Sequence, residues 1–250
     1  VRAMKEIEFK FQVPVKKRKA LQKAFTLLKA EPIHLAAQYF DTADQTLAKH
    51  CIAIRRRQEN DEWKQTFKAV NSAKVLSRLE LEFDIAPPET TTLDLDNYKK
   101  DYSAIYKKLK RALGLPLPTL ELLFETNIQR LRVLQDVGNS TVEIALDIGK
   151  IFEAQNNVDI FEIEFELKQG SIEDLIAFIQ PWVQKYQLSL DTHSKSDYGL
   201  LAVRQQSSFS AQYQTPLVLN RSSSEVEALQ SIMANCLQHL LPNASSIARQ

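Results

Sequence analysis

From Phe161 to Lys168 the side chains alternate without a break. Phe161, Ile163, Phe165 and Leu167 fall on one face, and Glu162, Glu164, Glu166 and Lys168 on the other. Period-two alternation predicts a strand whose two faces meet different surroundings. The N-terminus repeats it, with Ile7, Phe9, Phe11 and Val13 opposed to Glu6, Glu8, Lys10 and Gln12. Further strands are expected over His34–Thr42, Ile52–Arg57, Glu62–Lys68, Arg78–Ile85, Leu122–Val133 and Thr141–Ile148. Asn60-Asp61, Asn71 to Lys74, Gly138-Asn139 and Asn156-Asn157 separate consecutive runs and predict turns.

Helical spacing interrupts the strands. Lys16–Leu28 carries Leu21, Ala24, Phe25 and Leu28 on one stripe, with the basic run 16–19 as its wet side. Ala43–Lys49 reads as a short turn or helix. Asp96–Leu113 is expected to be helical, ending at Gly114 as a C-cap with Pro116 beyond. Ser171 caps a helix running to Tyr186. The polar stretch 205–220 reads as a linker, and 221–250 as an isolated helix with Leu229, Ile232, Met233, Cys236, Leu237 and Leu240 at helical spacing.

About eight antiparallel strands are enough to close a barrel. Taken alone, a charged strand face is most simply a solvated one. The helices decide otherwise, because their apolar stripes need apolar strand surface to bury. The expected fold is therefore α+β: an eight-stranded antiparallel β-barrel, helices packed outside, a polar lumen within. That lumen would be lined by Glu6, Glu8, Lys10, Arg55, Arg57, Lys68, Arg78, Glu80, Glu82, Arg130, Asp147, Glu162, Glu164 and Glu166.

Composition removes several alternatives. The apolar and charged fractions, 44% and 25%, are those of a soluble globular protein. A net charge of +1 gives no global pull toward nucleic acid or membrane. No apolar run approaches the roughly 18 residues of a membrane span, and no signal-peptide core is seen. Cys51 and Cys236 lie far apart and suggest neither a disulfide framework nor a thiolate metal site. A cytoplasmic location is the default expectation. None of the five glycines belongs to a phosphate-binding loop, so any phosphate must be held by side chains. His34, His50, His193 and His239 show no ligand spacing and read as structural or solvated.

Charges enclosed in a barrel are costly unless they pair or hold something. Arg and Lys offer donors for phosphate oxygens. Carboxylates in ExE spacing are hard ligands for Mg²⁺ or Mn²⁺. An anionic ligand that brings a divalent cation satisfies both sets, and a short chain of phosphates is the simplest example.

Glu6-x-Glu8-x-Lys10 resembles the signature of the triphosphate tunnel metalloenzymes, or CYTH domains. Tyr39-Phe40-Asp41-Thr42, Arg55-x-Arg57, Thr66-Phe67-Lys68, Arg78-x-Glu80, Glu143-x-x-x-Asp147, Glu162-x-Glu164-x-Glu166 and Ser194-Lys195 follow in that family's order. The resemblance covers residues 1–204 and implies an eight-stranded tunnel that hydrolyses or cyclises triphosphates. Residues 215–250 resemble the opening of the helical CHAD domain that follows the tunnel in bacterial inorganic triphosphatases, which implies that the rest of such a domain is missing. It also implies hydrolysis of inorganic triphosphate, with adenylyl cyclase, thiamine triphosphatase and a non-catalytic polyphosphate-binding module as alternatives. By resemblance, Glu6 and Glu8, with one or more of Glu162, Glu164 and Glu166, would hold Mg²⁺ or Mn²⁺. Lys10, Arg55, Arg57, Lys68, Arg78, Arg130 and Lys195 would grip phosphates. Glu80 and Asp147 would place a second metal or the attacking water, with Lys10 and Arg57 beside the reacting group. Lys64, and Arg132 in the place of Arg130, remain as supporting charges.

Overall fold

The computed structural model describes residues 7–70, 78–93, 95, 98–99, 102–153, 156–220 and 222–249, with backbone alone at 70, 78 and 79. Glu6 lies outside the described residues, as does the side chain of Arg78. Each alternating run lies in a strand: β1 (Glu8–Gln12), β2 (Glu31–Asp41), β3 (Ile52–Glu59), β4 (Glu62–Val70), β5 (Arg78–Ile85), β7 (Leu120–Val137), β8 (Ser140–Glu153) and β9 (Asn156–Gln169). Two-residue strands β6 (Thr92–Leu93) and β10 (Ser189–Leu190) were not legible from so short a pattern. The helices are α1 (Val15–Leu27), α2 (Thr46–Lys49), α3 (Ser103–Leu113), α4 (Ile172–Tyr186), α5 (Lys195–Val203) and α6 (Glu225–Ala248). Two of the expected turns and the caps are found, whereas Asn156-Asn157 opens β9 and is strand, not turn, and Asn71 to Lys74 lies outside the described residues. Asn60 and Gly138 take positive φ in their hairpins, and Gly114 does so after α3. Ser171 accepts a hydrogen bond from the Asp174 amide at the start of α4.

All strands join one antiparallel sheet in the order β10-β1-β9-β8-β7-β2-β3-β4-β5, with β6 beside β7. The sheet curls around a cavity bordered by β1 and β5 side chains alike. Among the described residues no backbone ladder joins the two margins, so this tunnel is enclosed by curvature and not by a closed ring of hydrogen bonds.

The outward faces are apolar and covered. Phe11, Val142, Ile144, Leu146, Ile163 and Phe165 pack with Leu21 and Phe25 of α1 and Leu175 and Ile179 of α4. On the other side Ile52, Ile54, Phe67 and Leu81 pack with Leu47 of α2 and Ile105 and Leu109 of α3. Each fully buried Leu or Phe contributes about 2 kcal/mol. Reversing the strands would forfeit these contributions and press charged faces against the helices.

One helix departs from the expected outside packing. Tyr198 of α5 is buried with Leu35, Ala37, Tyr39, Phe124, Ile151 and Ile160, which belong to the inward faces of β2, β7, β8 and β9. The register shows it: Arg130 stands opposite Asp147 and Asp147 opposite Glu162, and Ile128 and Ile160 lie two residues away on the same faces. Gly199 lets α5 approach this closely, since a Cβ there would lie 2.2 Å from the Phe124 ring. The inner surface is thus charged around most of its circumference but apolar along β2, where α5 covers it.

Residues 205–219 form neither helix nor strand. α6, capped by Ser224 with Glu227, runs to Ala248 and is bound to the barrel near its C-terminal end through Ser245. Leu229, Ile232, Met233, Leu237 and Leu240 remain exposed. No helix among the described residues is long and apolar enough to cross a membrane.

Candidate active site

The cavity has a volume of about 1040 Å³ and is faced by Lys10, Arg55, Arg57, Lys68, Glu80, Glu82, Arg130, Glu162, Glu164 and Lys195, among others. Strand pairing explains the assembly. Residues directly opposite in an antiparallel sheet share a face, so the rows Glu8–Glu166–Glu143, Gln12–Glu162–Asp147–Arg130 and Arg57–Lys64–Asp84 each present their members together.

The β1–β9–β8–β7 wall is tight. Arg130 grips Asp147 with both arms of its guanidinium, at 2.6 and 2.7 Å, and also meets Glu164. Lys195, at the first position of α5, reaches Asp147 at 2.6 Å, Glu164 at 3.0 Å and Glu162. Lys10 pairs with Glu162 at 3.1 Å and Asp191 at 3.4 Å and donates to the His193 carbonyl. Burial opposes ionisation throughout, but the partners prevail. Arg130 and Lys195 hold Asp147 below its usual range, and Lys195 and Arg130 hold Glu164 well below its own. Glu162 and Asp191 raise Lys10, and Asp147, Glu162 and Glu164 raise Lys195 well above the ordinary lysine value.

The β3–β4–β5 wall is looser. Arg57 lies 3.3 Å from Glu59 and 3.2 Å from Glu82, Lys64 lies 3.8 Å from each, and Lys68 meets Glu80 at 2.7 Å. Arg55 donates to the hydroxyls of Tyr39 and Thr66, both at 3.4 Å. Burial, seconded by repulsion from Arg55, lowers the pKa of Arg57 despite Glu82 and Glu59. Among the described residues the Arg57 Nε has no hydrogen-bond partner although it is buried. This guanidinium is under-compensated, which is the condition an incoming anion relieves.

The carboxylates expected to hold metal separate into two groups. Asp147, Glu162 and Glu164 each offer an oxygen within 4.8 Å of the others. Glu166 lies apart, paired with Lys168 at 2.7 Å in the row of Glu8 and Glu143. Four residues along a strand span roughly 13 Å, so Glu162 and Glu166 stand too far apart to bind one ion. Asp147, read together with Glu80 as placing a second metal or the attacking water, joins Glu162 and Glu164 across the β8–β9 ladder, while Glu80 stands on the opposite wall. Oxygen donors of this kind suit a hard divalent cation. The Lys195 ammonium lies among all three and is the charge such an ion would have to displace. Arg132 pairs with Glu31 at 2.9 Å near the rim. Asp191 and Glu59 gave no signal in the alternation, since Asp191 follows a two-residue strand and Glu59 ends a hairpin arm.

A family model described as the CYTH domain matches residues 4–197. The chain is 32% identical to an inorganic triphosphatase of Haemophilus influenzae over 206 residues, 79% of this chain and 55% of that protein. It thus spans about half the length of that relative. A crystal structure of a provisional adenylate cyclase from Bacillus halodurans is similar in fold, with a TM-score of 0.53 at 21% identity, over 77% of this chain and 96% of that one. A Hippeastrum protein, provisionally an adenylyl cyclase and described as having a dominant triphosphatase activity, gives 0.54 at 18% identity, over 80% of this chain and 96% of that one.

Proposed function

The chain belongs to the CYTH domain family, and from that premise we propose that it hydrolyses inorganic triphosphate to diphosphate and phosphate with Mg²⁺ or Mn²⁺. The observation that carries this reading is the buried Nε of Arg57, without a hydrogen-bond partner among the described residues, in a cavity that also holds the Asp147–Glu162–Glu164 carboxylate triad. Arg55, Arg57 and Lys68 take the phosphate oxygens on the loose wall, exchanging Glu80 and Glu82 for the substrate. Arg130, Lys10 and Lys195 bound the anion from the tight wall. Phosphoryl transfer asks mainly for alignment and for charge placed where it develops. A divalent ion held by Asp147, Glu162 and Glu164 would supply neutralising charge to the phosphate oxygens. Glu8 and Glu166, with Glu143, form a further acidic group toward the other end of the same wall. Glu80, 2.7 Å from Lys68, is the carboxylate best placed to orient water from the opposite side.

Leu35, Tyr39, Leu200 and Phe209 also border the cavity. This apolar flank favours a second reading in which an organic triphosphate, such as a nucleotide, is accepted. A substrate panel of inorganic triphosphate, ATP and thiamine triphosphate with Mg²⁺ and Mn²⁺, scored for phosphate and for cyclic nucleotide, separates the two. Phosphate release from inorganic triphosphate that survives Glu164→Gln at the wild-type rate would refute the assignment.

A further inference from the structure

The Leu190–Lys195 segment links β10 to α5 and anchors both lysines of the tight wall. Lys10 donates to its His193 carbonyl and pairs with its Asp191, and Lys195 ends it. The segment is held from outside by α6. The fully buried Ser245 hydroxyl accepts the Thr192 amide at 3.0 Å, and its proton is shared between the Leu190 and Leu241 carbonyls. The Ser245 carbonyl accepts Gln12 Nε2 at 3.0 Å, and the same amide group reaches Tyr198, whose hydroxyl donates to Asp191 at 3.0 Å. His193 Nε2 lies 3.2 Å from the Pro242 carbonyl and 3.1 Å from the Ser246 hydroxyl. A carbonyl only accepts, so Nε2 carries the proton, and burial keeps the ring pKa low. Phe209 stacks on that ring at 3.8 Å, and the Arg249 guanidinium lies 3.9 Å from the Tyr198 ring centre.

A helix that needed only a resting place would not have to direct buried polar groups at one six-residue segment. We propose that α6 is a positioning clamp: Ser245 and Ser246 fix the Leu190–Lys195 segment so that Lys10 and Lys195 meet the anion at set places. The inference rests on the triphosphate reading and adds a role for a helix beyond the matched residues 4–197.

The test measures the affinity of the full chain for inorganic triphosphate by calorimetry, with turnover followed separately. Ser245→Ala leaves the Thr192 amide unpaired and should weaken binding about tenfold, with Tm recorded alongside. Ser246→Ala, at a half-exposed site that does not threaten folding, should weaken it by roughly threefold. In a Lys10→Ala/Lys195→Ala background both losses should shrink to less than about twofold, because the lysines they position are gone. Equal losses in both backgrounds, or wild-type affinity in folded Ser245→Ala and Ser246→Ala, overturn the clamp. Binding without turnover in the unaltered chain would refute hydrolysis while leaving the clamp to be judged by affinity. No binding at all would remove both.

Discussion

The two walls of the cavity carry the same kinds of side chain in different states. On the tight wall Asp147 and Glu162 are 0% and 2% exposed, and contacts fall mostly between 2.6 and 3.4 Å. On the loose wall the side chains of Lys64 and Glu82 are 24% and 30% exposed, and several contacts stretch to 3.2–3.8 Å. Ion pairs enclosed with good geometry are rigid and hard to exchange. Pairs that are longer and, at Lys64 and Glu82, more exposed hold together less firmly and change partners at less cost. The tight wall is therefore built as a fixed electrostatic template, and the loose wall as a set of cations able to transfer to a ligand.

The comparison breaks most visibly at the template. Glu164→Gln removes one carboxylate of the triad and should lower triphosphate turnover about a thousandfold, roughly 4 kcal/mol, measured as phosphate release at saturating Mg²⁺. Asp147→Asn leaves Arg130 buried against a neutral amide. The expected cost is about 3 kcal/mol of stability, a fall of roughly 10 °C in Tm by calorimetry. Arg57→Ala on the loose wall should do the reverse, raising KM about thirtyfold, near 2 kcal/mol, while stability falls by less than in Asp147→Asn, since its longer pairs leave the guanidinium under-compensated. An Arg57→Ala protein as unstable as Asp147→Asn would erase the distinction between the walls.

Acidity sharpens it further. Asp147 and Glu164 have folded pKa values below their unfolded ones, near 3.8 and 4.5. Their stabilisation is fully present above those unfolded values and is lost as pH falls through the folded ones. Lys10 and Lys195 are raised, so theirs is present below about 10.5 and lost only as pH climbs through still higher values. Urea unfolding should give a plateau between roughly pH 7 and 10, a small decline below about pH 6.5 from His193, whose pKa burial lowers, and a steeper one below about pH 4 that is shallower in Asp147→Asn. The smallest effect belongs to Lys64→Met, expected to change stability by less than about 0.5 kcal/mol and KM by less than threefold.

Much of this was readable in the chain because alternation in β1, β3, β4, β5, β8 and β9 reports which face of a strand is wet. The burial requirement of α1, α3 and α4 then turned the charged faces inward. Three things escaped that logic. The inward face of β2, with Leu35, Ala37 and Tyr39, is apolar, and nothing in the alternation of one strand says which side of the sheet it looks toward. The segment Lys195–Val203 is a short apolar stretch whose seat inside the barrel depends on Gly199 meeting Phe124, a contact between distant residues. The split between Glu162 with Glu164 and the more distant Glu166 follows from rise along a strand, and Asp147 enters only through the β8–β9 register. Pattern gives the face, while register gives the neighbours.

The unpaired margins of the curled sheet have a last consequence. Among the described residues β5 pairs with β4 alone, like a page bound at its spine, and the loose wall ends there. An anion held between the walls would tie that leaf to its opposite number. Any ordering of β4 and β5 on binding would be subtracted from the contact energy and leave affinity below what the number of ionic contacts suggests.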